Sequence, residues 1–300
     1  MSYQQAGVSL AKADAVVDLL RDVVSSTGGE LGGFAGLYEL DGERLLAAST
    51  DGVGTKLVLS RRSGRLRDAG RDLAAHCIND VLTTGAEPLF FLDYVAAGEL
   101  DLADVAELVA GAAEVCRAAG CAIVGGETAE LPGIYAVGEI DAAGTCVGLV
   151  RREDLVDGSR VGAGDAVVGL PSSGLHANGF SLVRRLIGDE PFDADLLLAP
   201  TRLYLDEVRE LRGRADVRAL AHVTGGGILG NLPRVLPSGL RAEIEWDAWP
   251  RPSVYAWLAE RGVDEDEARR IFNLGIGYCA VMPTADVVAG DLVIGRIAEA

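Results

Sequence analysis

The sequence predicts an α/β (α+β) chain of two domains, residues 1–155 and 156–300. Three observations predict it. The 300 residues exceed the usual size of one domain. Segments with helical apolar spacing alternate with short, nearly unbroken apolar runs of the kind buried in a sheet. Several of those runs stop at glycines flanked by carboxylates, hydroxyls or histidines, and ligands gather at such strand ends in α/β sheets.

Composition narrows the function classes. At 49% hydrophobic and 24% charged residues the chain reads as soluble and globular. Its net charge of −18, from 45 acidic and 27 basic residues, excludes a nucleic-acid footprint, which needs a basic face. An anionic small molecule would have to be met locally, by glycine-rich turns, helix N-termini, a few Lys or Arg and a divalent cation. Five cysteines, scattered without a Cys-x-x-Cys, argue for a reducing compartment and against a zinc site or disulfide framework. The start, Met1-Ser2-Tyr3-Gln4-Gln5, shows no signal-peptide pattern, and no apolar run reaches membrane-spanning length, so a cytoplasmic location without membrane contact is expected.

In the first half, residues 10–24 have helical spacing and end at Ser25-Ser26-Thr27-Gly28-Gly29. Residues 28–36, with Gly32 and Gly33, hold five glycines in nine positions, a cradle for phosphates or a flexible connector. Residues 37–40 and 45–49 predict a strand pair across Asp41-Gly42-Glu43. The second strand runs into Ser49-Thr50-Asp51-Gly52-Val53-Gly54-Thr55-Lys56. There Asp51 can hold a hard cation, Gly52 and Gly54 let backbone N–H groups approach an anion, and Lys56 supplies a point charge. It lacks the leading glycine of a Walker A loop, and a tight turn with an exposed Asp and Lys is the plain alternative. Residues 67–84 predict a helix with Asp72, His76 and Asp80 on one side, which faces either solvent or a buried sheet. The apolar strand 88–95 favours the sheet and makes Asn79-Asp80 a candidate second carboxylate site. A helix over 100–119 leads to strand 121–124, whose end carries Gly125-Gly126-Glu127-Thr128-Ala129-Glu130, and residues 145–150 close the half. Asp51, Asp80 and Glu127, at or near three element ends, form a candidate divalent-cation site.

After the polar connector 154–164, strand 165–170 leads to Ser172-Ser173-Gly174-Leu175-His176-Ala177-Asn178-Gly179 and a helix over 180–187, whose N-terminus suits an anion. A helix over 200–211 precedes Leu220-Ala221-His222-Val223-Thr224-Gly225-Gly226-Gly227 and a helix over 228–236; Phe272-Asn273-Leu274-Gly275-Ile276-Gly277-Tyr278 enters strand 279–282. His176 and His222 each sit beside a ligand-type turn, and each is also placed as a structural core histidine would be.

In their order these motifs, with Cys77-Ile78-Asn79-Asp80 and Gly85-Ala86-Glu87-Pro88-Leu89-Phe90-Phe91-Leu92-Asp93-Tyr94, resemble the phosphoribosylformylglycinamidine cyclo-ligases. The resemblance runs from Ala6-Gly7-Val8 to Ile294-Gly295-Arg296-Ile297. It implies a two-domain ATP-dependent synthetase fold: an N-terminal half that binds ATP and pairs into a β-barrel across a homodimer, and a C-terminal αβ sandwich that binds substrate. It implies ATP-dependent closure of formylglycinamidine ribonucleotide to 5-aminoimidazole ribonucleotide, with ADP and phosphate released. Under it Asp51, Asp80 and Glu127 would hold Mg2+. Lys56, Gly32, Gly33, Gly52, Gly54, Thr55, Asn79 and Gly126 would face ATP. Ser172, Ser173, Gly174, His176, Asn178, Thr224, Gly225, Gly226 and Gly227 would hold the substrate. His176 or His222 would move the amidine proton, and Lys56 would act on the transferred phosphoryl group.

The chain departs from the family pattern in lacking basic residues and a proline before the glycine-rich loop, in a short connector at 188–196, and in a reduced end between Pro283 and Asp291. A thiamine-monophosphate or selenide kinase type is the nearest alternative, although no Cys precedes Cys77 as selenide enzymes would lead one to expect. A nucleotide-binding sensor without turnover is the second.

Overall fold

The computed structural model describes residue 7, residues 9–28 and residues 32–300; Gly29, Glu30 and Leu31 of the expected cradle lie outside the described residues. The first half runs α1 (Leu10–Ser25), β1 (Gly36–Glu39), β2 (Arg44–Gly52), α2 (Lys56–Arg62), α3 (Leu66–Leu82), β3 (Glu87–Ala97), α4 (Leu102–Ala118), β4 (Ala122–Glu130) and β5 (Ile140–Arg151). Its sheet has the order β1-β2-β5-β3-β4, antiparallel except for the parallel pair β3 and β4. The second half runs β6 (Ala166–Pro171), α5 (Phe180–Ile187), α6 (Ala194–Leu197), α7 (Leu205–Arg214), β7 (Ala219–His222), α8 (Gly227–Asn231), β8 (Leu240–Ile244), α9 (Ser253–Glu260), α10 (Glu265–Ile271), β9 (Ile276–Met282) and β10 (Val293–Glu299). Its sheet, β7-β9-β6-β10-β8, is antiparallel throughout.

Helix α3 is the hinge pin of the architecture. Every residue of it is buried except Arg67 and Arg71, because one face packs on the first sheet and the polar face meets the second half. One core joins Leu73, Ile78 and Phe91 of the first half to Tyr204, Tyr278 and Met282 of the second. Helices α3 and α4 cross closely because glycine stands on both sides: a Cβ on Gly70 would lie 1.8 Å from the Leu108 carbonyl oxygen, and one on Gly111 1.8 Å from that of Arg67. Gly70→Ala is therefore expected to destabilise by about 1–3 kcal/mol, since forcing the helices apart outweighs the ~1 kcal/mol that alanine gains in helix propensity. Urea unfolding measures it, and an unchanged midpoint would contradict the crossing.

Two expected elements differ. The box Gly125-Gly126-Glu127-Thr128-Ala129-Glu130 is not a turn after a strand; β4 runs through it to Glu130, paired residue by residue with β3. The glycines permit this because Gly126 lies directly under Asp93, where any Cβ would collide with that carboxylate. The helix expected from residue 200 begins at Leu205, and residues 56–62, for which no element is expected from the sequence, form α2. All five cysteines are buried and free. Among the described residues no helix is long and apolar enough to cross a membrane.

Candidate active site

The polar face of α3 is read by three partners in turn. Asp72 pairs with Lys56 at 2.7 Å, both side chains being fully buried, and its Oδ1 accepts from the Thr201 backbone N–H and hydroxyl at 2.8 and 2.7 Å. Lys56 also donates to the Ala199 carbonyl at 2.9 Å. Burial pulls the Lys56 ammonium below its ordinary pKa while Asp72 pulls it back. Asn79 donates to the Arg202 carbonyl and accepts from Tyr204 N–H.

His76, one turn on from Asp72, places Nδ1 3.1 Å from Asp51 Oδ2, and the other Asp51 oxygen accepts from Gly52 N–H at 2.7 Å. Asp80 takes the last position: its Oδ1 lies 2.8 Å from His222 Nδ1 and its Oδ2 accepts from the Ser49 hydroxyl at 2.9 Å. A carboxylate only accepts, so Nδ1 carries the proton in both neutral imidazoles and Nε2 is the acceptor. Among the described residues both Nε2 atoms are buried without a partner, and the two rings meet edge to face with centroids 5.1 Å apart. Burial lowers the pKa of His222 despite Asp80. Burial also opposes the His76 imidazolium, but the hydrogen bond and charge of Asp51 outweigh it and raise the pKa. Asp51 mirrors this: burial works against its ionisation, His76 more than offsets it, and the carboxyl ends below the usual range.

In the second half, Ser172 donates to the Gly174 carbonyl and to Asn273 Oδ1, and Ser173 donates to the Pro200 carbonyl. Asn273 ties the turn down by donating to Gly174 O and accepting from Tyr255 and Gly275. Asn231 does the same for the second glycine turn, donating to the carbonyls of Thr224, Gly225 and Gly227, while Thr224 donates to it in return. Asn178 approaches Gly225, so the two turns face each other. His176 is fully buried at a left-handed φ of 58°, and its Nε2 accepts from Ser173 N–H at 3.4 Å. Burial, then the neighbouring cationic groups, hold its pKa well below the ordinary value.

That last shift has a pH consequence. The unfolded chain takes up a proton at His176 below about pH 6.5 and the native protein does not. Stability therefore falls as pH drops below that value, by about 1.4 kcal/mol per pH unit for this group alone. His222 acts in the same direction. His76, whose native pKa is raised, contributes stability below its unfolded pKa that is lost as pH rises. His176→Asn, which accepts the left-handed backbone, is expected to flatten the acid limb of urea midpoints measured between pH 7.5 and 5.5; an unaltered limb would refute the assignment.

Several sequence-derived site residues are not gathered as expected. Among the described residues no three His, Cys, Asp or Glu side chains are placed to hold one ion, so Asp51, Asp80 and Glu127 do not form one cluster. The reason is register. Asp51, Gly144, Asp93 and Gly126 form one row across the sheet, on the face covered by α3. Glu127 is next in β4, and alternation turns it to the opposite face. Asp80 is committed to His222 and Ser49. Gly32 and Gly33 line a cavity of about 420 Å³ with Phe34, Thr84, Val156 and Arg234, whereas Gly54 and Thr55 line a different one of about 920 Å³ at the seam of the two halves. Lys56 is sealed between Asp72 and Ala199 rather than facing a cavity. Sequence reading passed over Asp93, half-buried with its carboxyl pushed up by burial, and the site roles of His76, Asn231 and Asn273. The spacing of Asp72, His76 and Asp80 was the available signal for His76.

The fold and this seam define a two-domain AIR synthase type. Residues 32–150 match the AIR synthase related protein, N-terminal domain, and residues 162–290 the corresponding C-terminal domain. The chain is 48% identical to the phosphoribosylformylglycinamidine cyclo-ligase of Anaeromyxobacter dehalogenans (strain 2CP-C), over 96% of this chain and 90% of that protein. It is 45% identical to the enzyme of the same name from Burkholderia vietnamiensis, over 96% and 88%. A complex of AaThiL with AMPPCP and TMP superposes with a TM-score of 0.72 at 21% identity, covering 98% of this chain and 93% of that one, a likeness of fold. The chain belongs to the phosphoribosylformylglycinamidine cyclo-ligase family, which are ATP-dependent ligases.

Proposed function

We propose that the chain closes formylglycinamidine ribonucleotide to 5-aminoimidazole ribonucleotide with consumption of ATP and release of ADP and phosphate, as an enzyme of purine biosynthesis in the cytoplasm. The observation that carries the reading beyond family membership is the pair of carboxylate-oriented histidines, His76 with Asp51 and His222 with Asp80, at the seam between the halves. A formamide oxygen leaves poorly; phosphorylating it makes an imidate phosphate that the amidine nitrogen displaces. Phosphoryl transfer of this kind needs positioning and charge neutralisation more than covalent chemistry from the protein.

His222 is the better candidate for taking the amidine proton. Its Nε2 is an acceptor with no partner among the described residues, although the ring is as fully buried as Lys56 and substrate would have to open the seam to reach it, while the Nε2 of His176 is already engaged by Ser173. Mg2+, where bound, neutralises the charge that develops on the phosphates. It typically takes one or two protein carboxylates plus phosphate oxygens, and Asp51, partly exposed at the end of β2, is the carboxylate that would hold it; Asp93 stands in the same row but the Phe91 ring over Gly144 lies between the two. The two glycine turns stapled by Asn231 and Asn273 would hold the substrate.

A homodimer is part of this reading. Tyr38, Val124, Tyr94 and Leu92, on the face of the first sheet away from α3, are 70%, 60%, 39% and 36% exposed, more apolar surface than one sheet face ordinarily leaves in water. The test of function is ADP release with and without formylglycinamidine ribonucleotide, scored together with aminoimidazole formation. ADP produced only when thiamine monophosphate is the acceptor would overturn the reading in favour of a kinase. ATP binding with no turnover on either acceptor would overturn it in favour of a sensor.

A further inference from the structure

We propose that Arg184 is the residue that binds the phosphate monoester of the ribonucleotide substrate, in the cavity of about 920 Å³ at the seam of the two halves. The inference rests on the reading of the chain as a cyclo-ligase and names the group that would select its substrate. Arg184 stands on α5, one turn after Ser181, whose hydroxyl meets that of Thr55 across the seam at 3.2 Å. Positions three apart share a helix face, so Arg184 is carried to the α2 side of the seam and lines the cavity beside Gly54 and Thr55.

The charge inventory of the cavity singles it out. Arg61 is fixed by Asp104 at 2.8 Å, and Arg62 donates to the carbonyls of Gly188, Asp189 and Glu190. The carboxylates keep their charge but are held by neutral donors on their own segments: Asp101 caps α4, Glu139 accepts from Ala136 N–H, and Asp141 accepts from the Tyr135 hydroxyl, so an anion is favoured at the Arg184 guanidinium itself and not by the cavity as a whole. Arg184 is half-buried and, among the described residues, its guanidinium has neither hydrogen bond nor ion pair. A guanidinium withdrawn from water without a counterion favours an anion that can take two of its N–H groups at once, and a phosphate monoester has that geometry. The backbone at Gly54, with φ of 64°, and the Thr55 hydroxyl flank the same space. The glycine turns of the second half would then hold the remainder of the substrate.

The test uses Arg184→Met, which keeps the aliphatic stem and removes the donors, with Arg184→Lys as the conservative variant. Calorimetric titration of ribose 5-phosphate into the unmodified protein is expected to show binding that weakens by about tenfold to a hundredfold in Arg184→Met and is partly restored in Arg184→Lys, with urea midpoints unchanged. In steady-state assays the KM for formylglycinamidine ribonucleotide rises by a similar factor while kcat and the KM for ATP hold. Undetectable binding of ribose 5-phosphate to the unmodified protein, or equal affinity in all three proteins, overturns the proposal. So does a KM effect confined to ATP, which would assign the guanidinium to the triphosphate. The titration needs no turnover, so failure of the cyclo-ligase reading in the ADP assay leaves the anion site separately decided.

Discussion

Asp72→Ala is expected to cost about 3–5 kcal/mol of stability, because it strands the Lys56 ammonium in a fully buried position. The loss is larger than a surface ion pair would give, since water screens and solvates an exposed pair but cannot reach this one. Asp72 also receives both donors of Thr201, so its removal loosens the contact between the two halves. Native stability is only about 5–15 kcal/mol, and a fall of this size would lower the thermal midpoint by roughly 10 °C. The double variant Lys56→Met with Asp72→Leu removes charge and countercharge together and should recover most of the loss. Thermal and urea unfolding of the three proteins decide the matter; a single variant within about 1 kcal/mol of the parent would show that water reaches the pair. The double variant also separates two roles for Lys56. If it folds well but releases no ADP, Lys56 acts in catalysis as well as in the seam.

Asp51→Asn is expected to lower kcat on the order of 10²–10³-fold while leaving the fold intact. The amide keeps the size of the side chain and can still accept from Gly52 N–H. It removes the charge that would hold a cation and that orients His76. The Asp51 side chain is 37% exposed, so its neutralisation leaves no sealed, unpaired charge comparable to Lys56. Circular dichroism and urea unfolding should match the parent within about 1 kcal/mol, and the activity loss should persist at saturating substrate. Undiminished turnover would remove Asp51 from the reacting centre and leave its pairing with His76 as a structural feature.

Much of the element order was open to reading from one residue to the next. The strand pair across Asp41-Gly42-Glu43, the buried strand over 88–95 and the long polar-striped helix before it all stand near their expected places, because alternation and helical spacing are local properties. The box from Gly125 to Glu130 misled, since glycines at the end of an apolar run ordinarily signal a turn. Here Gly126 is required by the Asp93 carboxylate above it, a contact between strands more than thirty positions apart. Lys56 misled for a related reason: beside glycines and a hydroxyl it looks like a phosphate ligand, and its partner Asp72 is on another helix.

The residues themselves determined the two-domain α/β class, the acidity that keeps nucleic acid away, and the set of motifs through which the chain resembles its family. Which groups meet was decided only by the tertiary structure: Asp80 with His222 instead of with Asp51, Glu127 turned off the α3 face, Arg184 left without a counterion among the described residues. Periodicity specifies what kind of element forms and which of its sides is apolar. The partner across a seam depends on strand register and on how two halves close around α3, and those are set by contacts between segments distant in the chain.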